Sequence, residues 1–578
     1  MKLPRSRFTG LYLFALVFVV VSLLLRTALL VRSLATADTR LGTVCLTYAI
    51  GLGMDLVACA ACGLPVTLLL ILAPDRVIRG RAFHWIGAGL YAVAVGAVFY
   101  VAAVEWFFWD EFETRFNFLA IDYLQHTREV FGNIWESYPV VPVTLGIVAV
   151  AAGTVAATVR AVWRSYDTTS TFGRRLRAGA VLLAVAAPAP VVMGSTVVRI
   201  SPSPTTNALA RNGALCFVAA MLEATLDYKQ VYLVRDDREV FARLRELLAT
   251  DDSRFVSDDV FDLTRDVVSG RAEKRHNVVL VVVESLSADL LGAFGNTEGL
   301  TPNLDALARE GLLFKRMYAT GTRTIRGLEA INFSLPPGPG RAVAKRRDAD
   351  RFFSAERIFR AKGYRTKFIY GGDLRFDSMR FFIERGGFET IDRGDLTPAE
   401  ITHANVWGVC DQDLFRRAVL ECDDSHASAK PFLTVALTTS NHMPNTYPQV
   451  IDIPSGTGPA GGVKYSDYAI GEFIERARAR PWFGDTIFVI VADHCARIRD
   501  KGDVAAVKYH IPALFYAPKL IPPAENDALC SQADLAPTLL GMLGMSAQSI
   551  AHLLIILLVI VGNIAYFASG RGERRREA

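Results

Sequence analysis

The stretch Asn277–Glu284, NVVLVVVE, followed by SLSADLLGAFGN, decides how the rest of the chain is read. Its unbroken valine and leucine run reads as a parallel strand buried on both faces, because a half-exposed strand alternates apolar and polar residues. Glu284 stands where that strand ends, and in open α/β sheets ligands bind beyond the carboxyl ends of the strands. A second run, Thr486–Val491 (TIFVIV), ends the same way, in Ala492, Asp493 and His494. Two buried strands delivering ligand-type residues at their tips predict a metal site, and Glu, Asp and His together suit a divalent cation.

Working outward, strands and helices alternate from about His276 to Met545. Strands are predicted at Val278–Val283, Lys367–Tyr370, Phe432–Thr439, Ile487–Val491 and Ala513–Tyr516, and helices at Thr301–Glu310, Ala355–Lys362, Asp411–Cys422 and Ser466–Arg478. Thr301-Pro302 is a good helix start, an N-cap residue followed by proline in the first turn. Such alternation predicts an α/β domain around a mostly parallel sheet.

The remainder is of a different character. Hydrophobic residues make up 51% of 578, the mean hydropathy is +0.27, and the excess lies in the first 200 residues and the last 30. Five stretches approach the ~20 apolar residues a bilayer requires: Phe8–Leu30, Leu46–Ala73, Trp85–Phe107, Val140–Val159 and Ala178–Val198. The first is too long for a signal-peptide core and lacks a small-residue cleavage site, so it reads as an anchor. Basic residues flank the N-terminus (Lys2, Arg5, Arg7) and follow the second span (Arg76, Arg79, Arg81) and the fourth (Arg160, Arg164, Arg174, Arg175, Arg177), whereas the loop Trp109–Pro139 is acidic. The positive-inside rule then puts the N-terminus in the cytoplasm and the domain after the fifth span outside. Arg26 and Asp55 fall within spans, where an ionisable residue is a functional candidate; snorkelling of Arg26 and a helix–helix pairing of Asp55 are the structural readings preferred here.

Ser201–Pro204, SPSP, breaks the chain, and a helical, increasingly charged connector follows from Ala208 to Leu248. The expected organisation is a membrane domain over 1–200, a helical connector over 201–275, a catalytic domain over 276–545, and a segment 546–578. In that last segment Ile550–Phe567 reads as a sixth span before Arg571, Arg574, Arg575 and Arg576. The net charge of +5 is mild, and no nucleic-acid partner is expected. The eight cysteines form no tight metal framework. Cys59 and Cys62 read as small membrane-helix residues, and Cys410, Cys422, Cys495 and Cys530 allow one or two disulfides in an oxidising compartment, with no pairing readable.

Between the two strand tips lies Ala319–Ala330, ATGTRTIRGLEA, which opens into an apolar helical pattern. A hydroxyl at a helix N-terminus lies among free N–H groups and the positive end of the dipole, which favour an oxyanion or phosphate. A metal held by Glu284, Asp493 and His494 would lower such a hydroxyl's pKa and make it a nucleophile. Taken singly, a Thr there is more often a cap and an Asp-His pair more often a polar turn.

In order along the chain, ESLS, TPNLDALAREGLLF, ATGTRTIRGLEA, TTSNHMP, ADH, YHIP and APTLLGMLG resemble the alkaline phosphatase/sulfatase superfamily. With five spans upstream, the chain is most similar to its lipoteichoic acid synthase-like phosphoglycerol transferases, and within them to Gram-negative sulfatase-like members. The resemblance implies metal ligands at Glu284, Thr324, Asp493 and His494, with Thr324 the nucleophile, because the family's Thr precedes a short turn such as Thr324-Ile325-Arg326-Gly327; Thr322 is the runner-up. It also implies that His442 contacts the phosphate-bearing substrate, and offers Arg326, Trp407, Asp377 and His510 as further substrate contacts; solvated charge is the default reading of Arg497, Lys501 and Lys508. The chain departs from the pattern twice. No Cys/Ser-x-Pro-x-Arg motif occurs at Thr322–Gly327, which disfavours sulfate-ester hydrolysis, and Arg375–Phe381 (RFDSMRF) replaces the family's Trp-x-Arg.

The expected activity is therefore metal-dependent transfer of phosphoglycerol, or a related head group, from a phospholipid to a glycan hydroxyl, at the outer face of a bacterial inner membrane. Phosphatidylglycerol is the expected donor. One divalent metal is expected, Mn²⁺ from the oxygen-rich donor set, with Mg²⁺ or Zn²⁺ as alternatives. A phosphodiesterase or phosphatase, a phosphoethanolamine transferase, and a non-catalytic membrane scaffold are the competing readings.

Overall fold

Five helices of the computed structural model are long and apolar enough to cross a membrane: Thr9–Arg32, Leu41–Cys62, Arg81–Phe112, Val140–Ser165 and Phe172–Val192. The structure describes residues 6–194, 198–222, 234–335, 338, 342–345, 354–496 and 506–549, so the expected sixth span, Arg497 and Lys501 lie outside the described residues. The second expected span is two helices, Leu41–Cys62 and Leu64–Leu72, because Pro65 opens the latter and its ring cannot sit inside a continuous helix. Pro188 likewise separates Phe172–Ala186 from Ala189–Gly194. The chain divides into two compact units, one from Met1–Val130 and Tyr138–Ala224, the other from Phe131–Ser137, Thr225–Ile498 and Ala506–Ala578.

In the first unit Arg26 and Asp55 pair with one another, both essentially buried. Arg26 Nη1 donates to Asp55 Oδ2 (2.8 Å) and Nη2 to Oδ1 (3.0 Å), while Asn212 Nδ2 donates to Oδ1 (2.8 Å). Arg26 also reaches the carbonyls of Leu209 (2.9 Å) and Arg211 (3.2 Å). Those carbonyls lie where the short helix Pro204–Leu209 has ended and Gly213–Leu222 has not begun. Non-helical backbone at membrane depth persists only where protein satisfies it. A second buried pair, Arg115 with Glu105 (2.6 Å), serves the same break, with Arg115 donating to the carbonyls of Ala208 and Leu209 (3.4 Å each). Gly51 makes room for the first pair: a Cβ there would lie 2.3 Å from Arg26 Cζ.

The second unit contains a nine-stranded sheet, numbered here β1 Asn277–Val283, β2 Leu312–Tyr318, β3 Arg365–Tyr370, β4 Glu389–Ile391, β5 Phe432–Leu437, β6 Thr486–Ala492, β7 His510–Tyr516, β8 Ala524–Asn526 and β9 Cys530–Ser531. Their order is β8-β2-β7-β6-β1-β5-β3-β4, with β9 also on β2. β4, β3, β5, β1 and β6 run parallel, and β1, β5 and β6 are buried along their whole lengths, as their apolar runs predict. The sheet is mostly parallel, as expected, and is made mixed by β7, which is antiparallel to both β6 and β2. β2 has no counterpart in the sequence reading, because Lys315 and Arg316 interrupt its apolar pattern and only half of it is buried. A small antiparallel sheet joins Ser253–Phe255, Arg265–Val267 and Ala547–Ser549, so residues before and after the 276–545 segment share strands.

All eight cysteines are free thiols, including the four for which one or two disulfides were possible. Cys422 sits alone in the core beneath β5, bonded to Thr434 Oγ1, and Cys495 donates to the His510 carbonyl (3.1 Å).

Candidate active site

β1 and β6 are neighbours in register, Val283 opposite Ala492. The residues after those partners, Glu284 and Asp493, must therefore emerge side by side at the carboxyl edge. The turn there is tied by hydrogen bonds. Glu284 N–H donates to Thr438 Oγ1 (2.9 Å), and Asn441 Nδ2 donates to the carbonyls of Glu284 (2.9 Å) and Ser285 (3.0 Å). Ser285, held at φ 50°, points its N–H at Asp493 Oδ1 (2.8 Å), which also accepts from His494 N–H (2.7 Å).

Thr324 is the first residue of the helix Thr324–Phe333, and its Oγ1 donates to Glu284 Oε2 at 3.2 Å. Thr322, the alternative nucleophile, is exposed one turn earlier. The helix approaches the strand tip this closely because of Gly327: a Cβ there would lie 2.2 Å from the Asp493 carbonyl oxygen.

Glu284, Asp493 and His494 each present one ligand atom, all within 4.8 Å of one another. His494 Nδ1 donates to the Cys495 carbonyl (2.9 Å), since a carbonyl can only accept, and this turns Nε2 toward Asp493 Oδ2 (3.4 Å) and Glu284 Oε1 (3.6 Å), where loss of its proton would free a lone pair for a metal. That is the tautomer a metal-ligating histidine adopts. Asp493 Oδ2 is buried with no hydrogen-bond partner, 3.4 Å from His494 Nε2. A buried carboxylate oxygen left in this way costs free energy that a bound cation removes. The donor set and its open valences fit a divalent ion; hard carboxylate and hydroxyl oxygens with one imidazole do not single out which.

The charges of the three residues act on one another. Burial first, and then the neighbouring charge of Glu284, push the Asp493 carboxyl up to about 7. Burial would also raise Glu284, yet His494 and then His442 hold it below the ordinary glutamate value. Burial would lower His494, but Asp493 and Glu284 carry it above the usual imidazole value. Asp493 is thus the carboxyl that retains a proton, beside an ionised Glu284 and a His494 drawn toward its cationic form.

His442 lies beside this group, its Nδ1 donating to the Met443 carbonyl (3.0 Å) and its ring against Trp407 at 3.9 Å between centroids. Trp407 Nε1 bonds the same carbonyl (2.8 Å), and Phe376 meets Trp407 edge-on. Asp377, at φ 52°, accepts from Arg323 Nη2 (3.3 Å). Arg323, absent from the residues read off the sequence, immediately precedes Thr324, and its charge acts on His494. Its only sequence signal was adjacency to Thr324. Arg326 instead turns to Glu329, donating at 3.0 Å to a carboxylate buried against the Ala344 N–H. His510 stacks on Tyr318 and its Nε2 donates to the Lys315 carbonyl (2.9 Å), within the β2–β7 flank rather than among the three ligands.

Residues 276–545 match the sulfatase family. A solved protein of the alkaline phosphatase superfamily from Vibrio parahaemolyticus is 35% identical, superposes with a TM-score of 0.52, and is matched over 56% of this chain and 79% of its own. Phosphoglycerol transferase I of Xanthomonas campestris pv. campestris (strain B100) is 28% identical over 277 residues, 44% of this chain and 38% of that protein. The phosphoglycerol transferase I of Salmonella choleraesuis is 30% identical over 241 residues, 38% of this chain and 31% of that protein. The matched segment thus spans less than half the length of these curated relatives. Parallel strands that carry Glu284 and Asp493 to one edge, a threonine at a helix start beside them, and these likenesses lead to one assignment: the chain belongs to the alkaline phosphatase superfamily and carries a sulfatase-like enzyme domain at residues 276–545.

Proposed function

We propose that this chain transfers phosphoglycerol from a phospholipid, phosphatidylglycerol, to a glycan hydroxyl on the periplasmic side of the inner membrane, with Thr324 as the nucleophile. The observation that carries this reading is the Thr324 hydroxyl held on Glu284 at a helix start, beside Asp493 and His494, in a domain whose curated relatives are phosphoglycerol transferases. The five apolar helices support a lipid donor, since they hold the chain at a bilayer.

In the first half-reaction Thr324 Oγ attacks phosphorus, the P–O bond to the diacylglycerol oxygen breaks, and diacylglycerol leaves with a proton. In the second, the acceptor hydroxyl attacks the same phosphorus, the P–Oγ bond breaks, and Thr324 regains its proton. Glu284 Oε2 orients the Thr324 hydroxyl, and the helix N-terminus stabilises charge on the phosphoryl oxygens. His442, with Nδ1 bound to Met443, offers Nε2 to the leaving or entering oxygen, and Arg323 offers a cation at the rim. A divalent ion held by Glu284, Asp493, His494 and Thr324 would supply Lewis-acid stabilisation of the phosphoryl group. Trp407 and Phe376 form an aromatic wall suited to the glycerol carbons, and Asp377 a hydroxyl acceptor; Arg326 and His510 serve the surrounding scaffold in this scheme.

The test is intact-mass analysis of the full-length chain in phosphatidylglycerol micelles with Mn²⁺, beside Thr324→Ala. A phosphoglycerol-sized adduct confined to the wild type supports the proposal. Diacylglycerol and free glycerol phosphate released equally with and without glycan acceptor would replace it with a hydrolase, and consumption of phosphatidylethanolamine alone would change the head group.

A further inference from the structure

We infer that Gln532 is a positioning residue that sets the backbone of Asp493 against the loop leading to Thr324. It is fully buried, and every valence of its amide is used. Nε2 donates to the carbonyls of Ala492 (2.8 Å) and Asp493 (2.7 Å), while Oε1 accepts from Thr320 N–H (3.0 Å) and from Thr320 Oγ1 (3.3 Å). The partners also settle the amide's orientation, because carbonyls accept and an N–H donates.

The geometry explains why such a brace is needed. β7 pairs with β6 only as far as Val491, opposite Ala513, so the chain past that point lacks its strand neighbour on this side. Consecutive carbonyls of an extended strand point to opposite sides. One nitrogen reaching the carbonyls of both Ala492 and Asp493 therefore holds a turn, and that turn aims the Asp493 carboxylate. Gly327 also lies close to the same Asp493 carbonyl, whose oxygen is 2.2 Å from where a Cβ would be. Thr320 stands four residues before Thr324, so a single side chain spans the ligand-bearing strand and the nucleophile-bearing loop. A displacement of about 1 Å between reacting groups costs about 10²-fold in rate, and loss of a group that orients a metal ligand costs roughly 10–100-fold in metal affinity or activity.

The decisive variants are Gln532→Glu, nearly the same shape but with an acceptor facing the two carbonyls, and Gln532→Asn, which keeps the amide one methylene shorter. Full-length protein is measured for Mn²⁺ affinity by calorimetry, for kcat and KM on phosphatidylglycerol, and for thermal unfolding. Gln532→Glu is expected to weaken Mn²⁺ binding and lower kcat by roughly 10–100-fold each, with KM within about twofold, and Gln532→Asn to fall between it and the wild type. Should Gln532→Glu fail to fold, the Asn variant decides by the same criterion. Unchanged Mn²⁺ affinity and kcat per folded molecule, with only the unfolding temperature lowered, would overturn the inference and leave a merely structural brace. The kinetic readout rests on the transferase reading, but the Mn²⁺ readout does not. Wild type that binds Mn²⁺ without transferring phosphoglycerol would end that reading, while weakened binding in the variants would still support this one.

Discussion

Two of the places where this protein buries carboxylates beside cationic or imidazole groups are built to opposite ends. In the membrane-type unit, Asp55 receives two bonds from Arg26 and one from Asn212, and Arg26 donates two further N–H groups, from Nε and Nη2, to backbone carbonyls. At the tips of β1 and β6, Asp493 keeps one oxygen without a hydrogen-bond partner, and His494 turns Nε2 toward both carboxylates. The first arrangement is matched bond for bond between Arg26 and Asp55, so its charges serve the fold; the second gathers ligand-type atoms within 4.8 Å of one another and leaves one of them unmatched. Burial alone does not mark a functional charge. The count of unmet valences does.

Four perturbations test that contrast, in falling order of expected effect. Thr324→Ala should abolish phosphoglycerol transfer, by roughly 10³-fold or more, as removal of a nucleophile does, with an unchanged unfolding temperature; transfer assays and calorimetry read the two. Asp55→Ala strands the Arg26 guanidinium, and breaking a buried pair costs about 3–5 kcal/mol. Thermal unfolding in detergent should show it, and Arg26→Met combined with Asp55→Leu should recover part of the loss.

Asp493→Asn should behave in the reverse sense in metal-free protein. The folded-state Asp493 carboxyl lies near 7, above the ordinary aspartate value of 3.8. Folding therefore favours its protonated form, and stability is lost as pH rises from about 4 to about 7. Above pH 7 the Asn variant, freed of that charge, should be the more stable by about 1–3 kcal/mol, and the gain should disappear near pH 4. A destabilised Asn variant at pH 8 would mean that this site, too, is matched.

The smallest effect is in metal binding by the wild type. Mn²⁺ must displace the proton that Asp493 holds below about 7, so affinity should fall by about tenfold per pH unit there. Displacement of a second proton from His494, which is also raised, would steepen the slope. Calorimetry between pH 6 and 8 reads it, and a flat profile would remove Asp493 from the ligand set.

Legibility followed the length scale of the interactions. The double-faced burial of β1 and β6 was written in NVVLVVV and TIFVIV, and their tips named Glu284, Asp493 and His494 before any geometry was known. β2 escaped because LLFKRMY carries Lys315 and Arg316 in its middle and lies on the mixed side of the sheet. Arg26 and Asp55 were each visible as intramembrane charges, but not as each other's partner, and Glu105 was not singled out at all.

The sequence by itself therefore determined the two-part organisation, the parallel core strands and the ligand-type residues Glu284, Asp493 and His494 at their tips, since burial pattern and residue type are local properties of a stretch. Only the tertiary structure decided that Val283 stands opposite Ala492, that β7 runs antiparallel, that Arg326 faces Glu329 while Arg323 faces the site, and that Gln532 joins Asp493 to Thr320. Register, strand direction and the aim of a side chain depend on partners tens to hundreds of residues away, and no single stretch carries them.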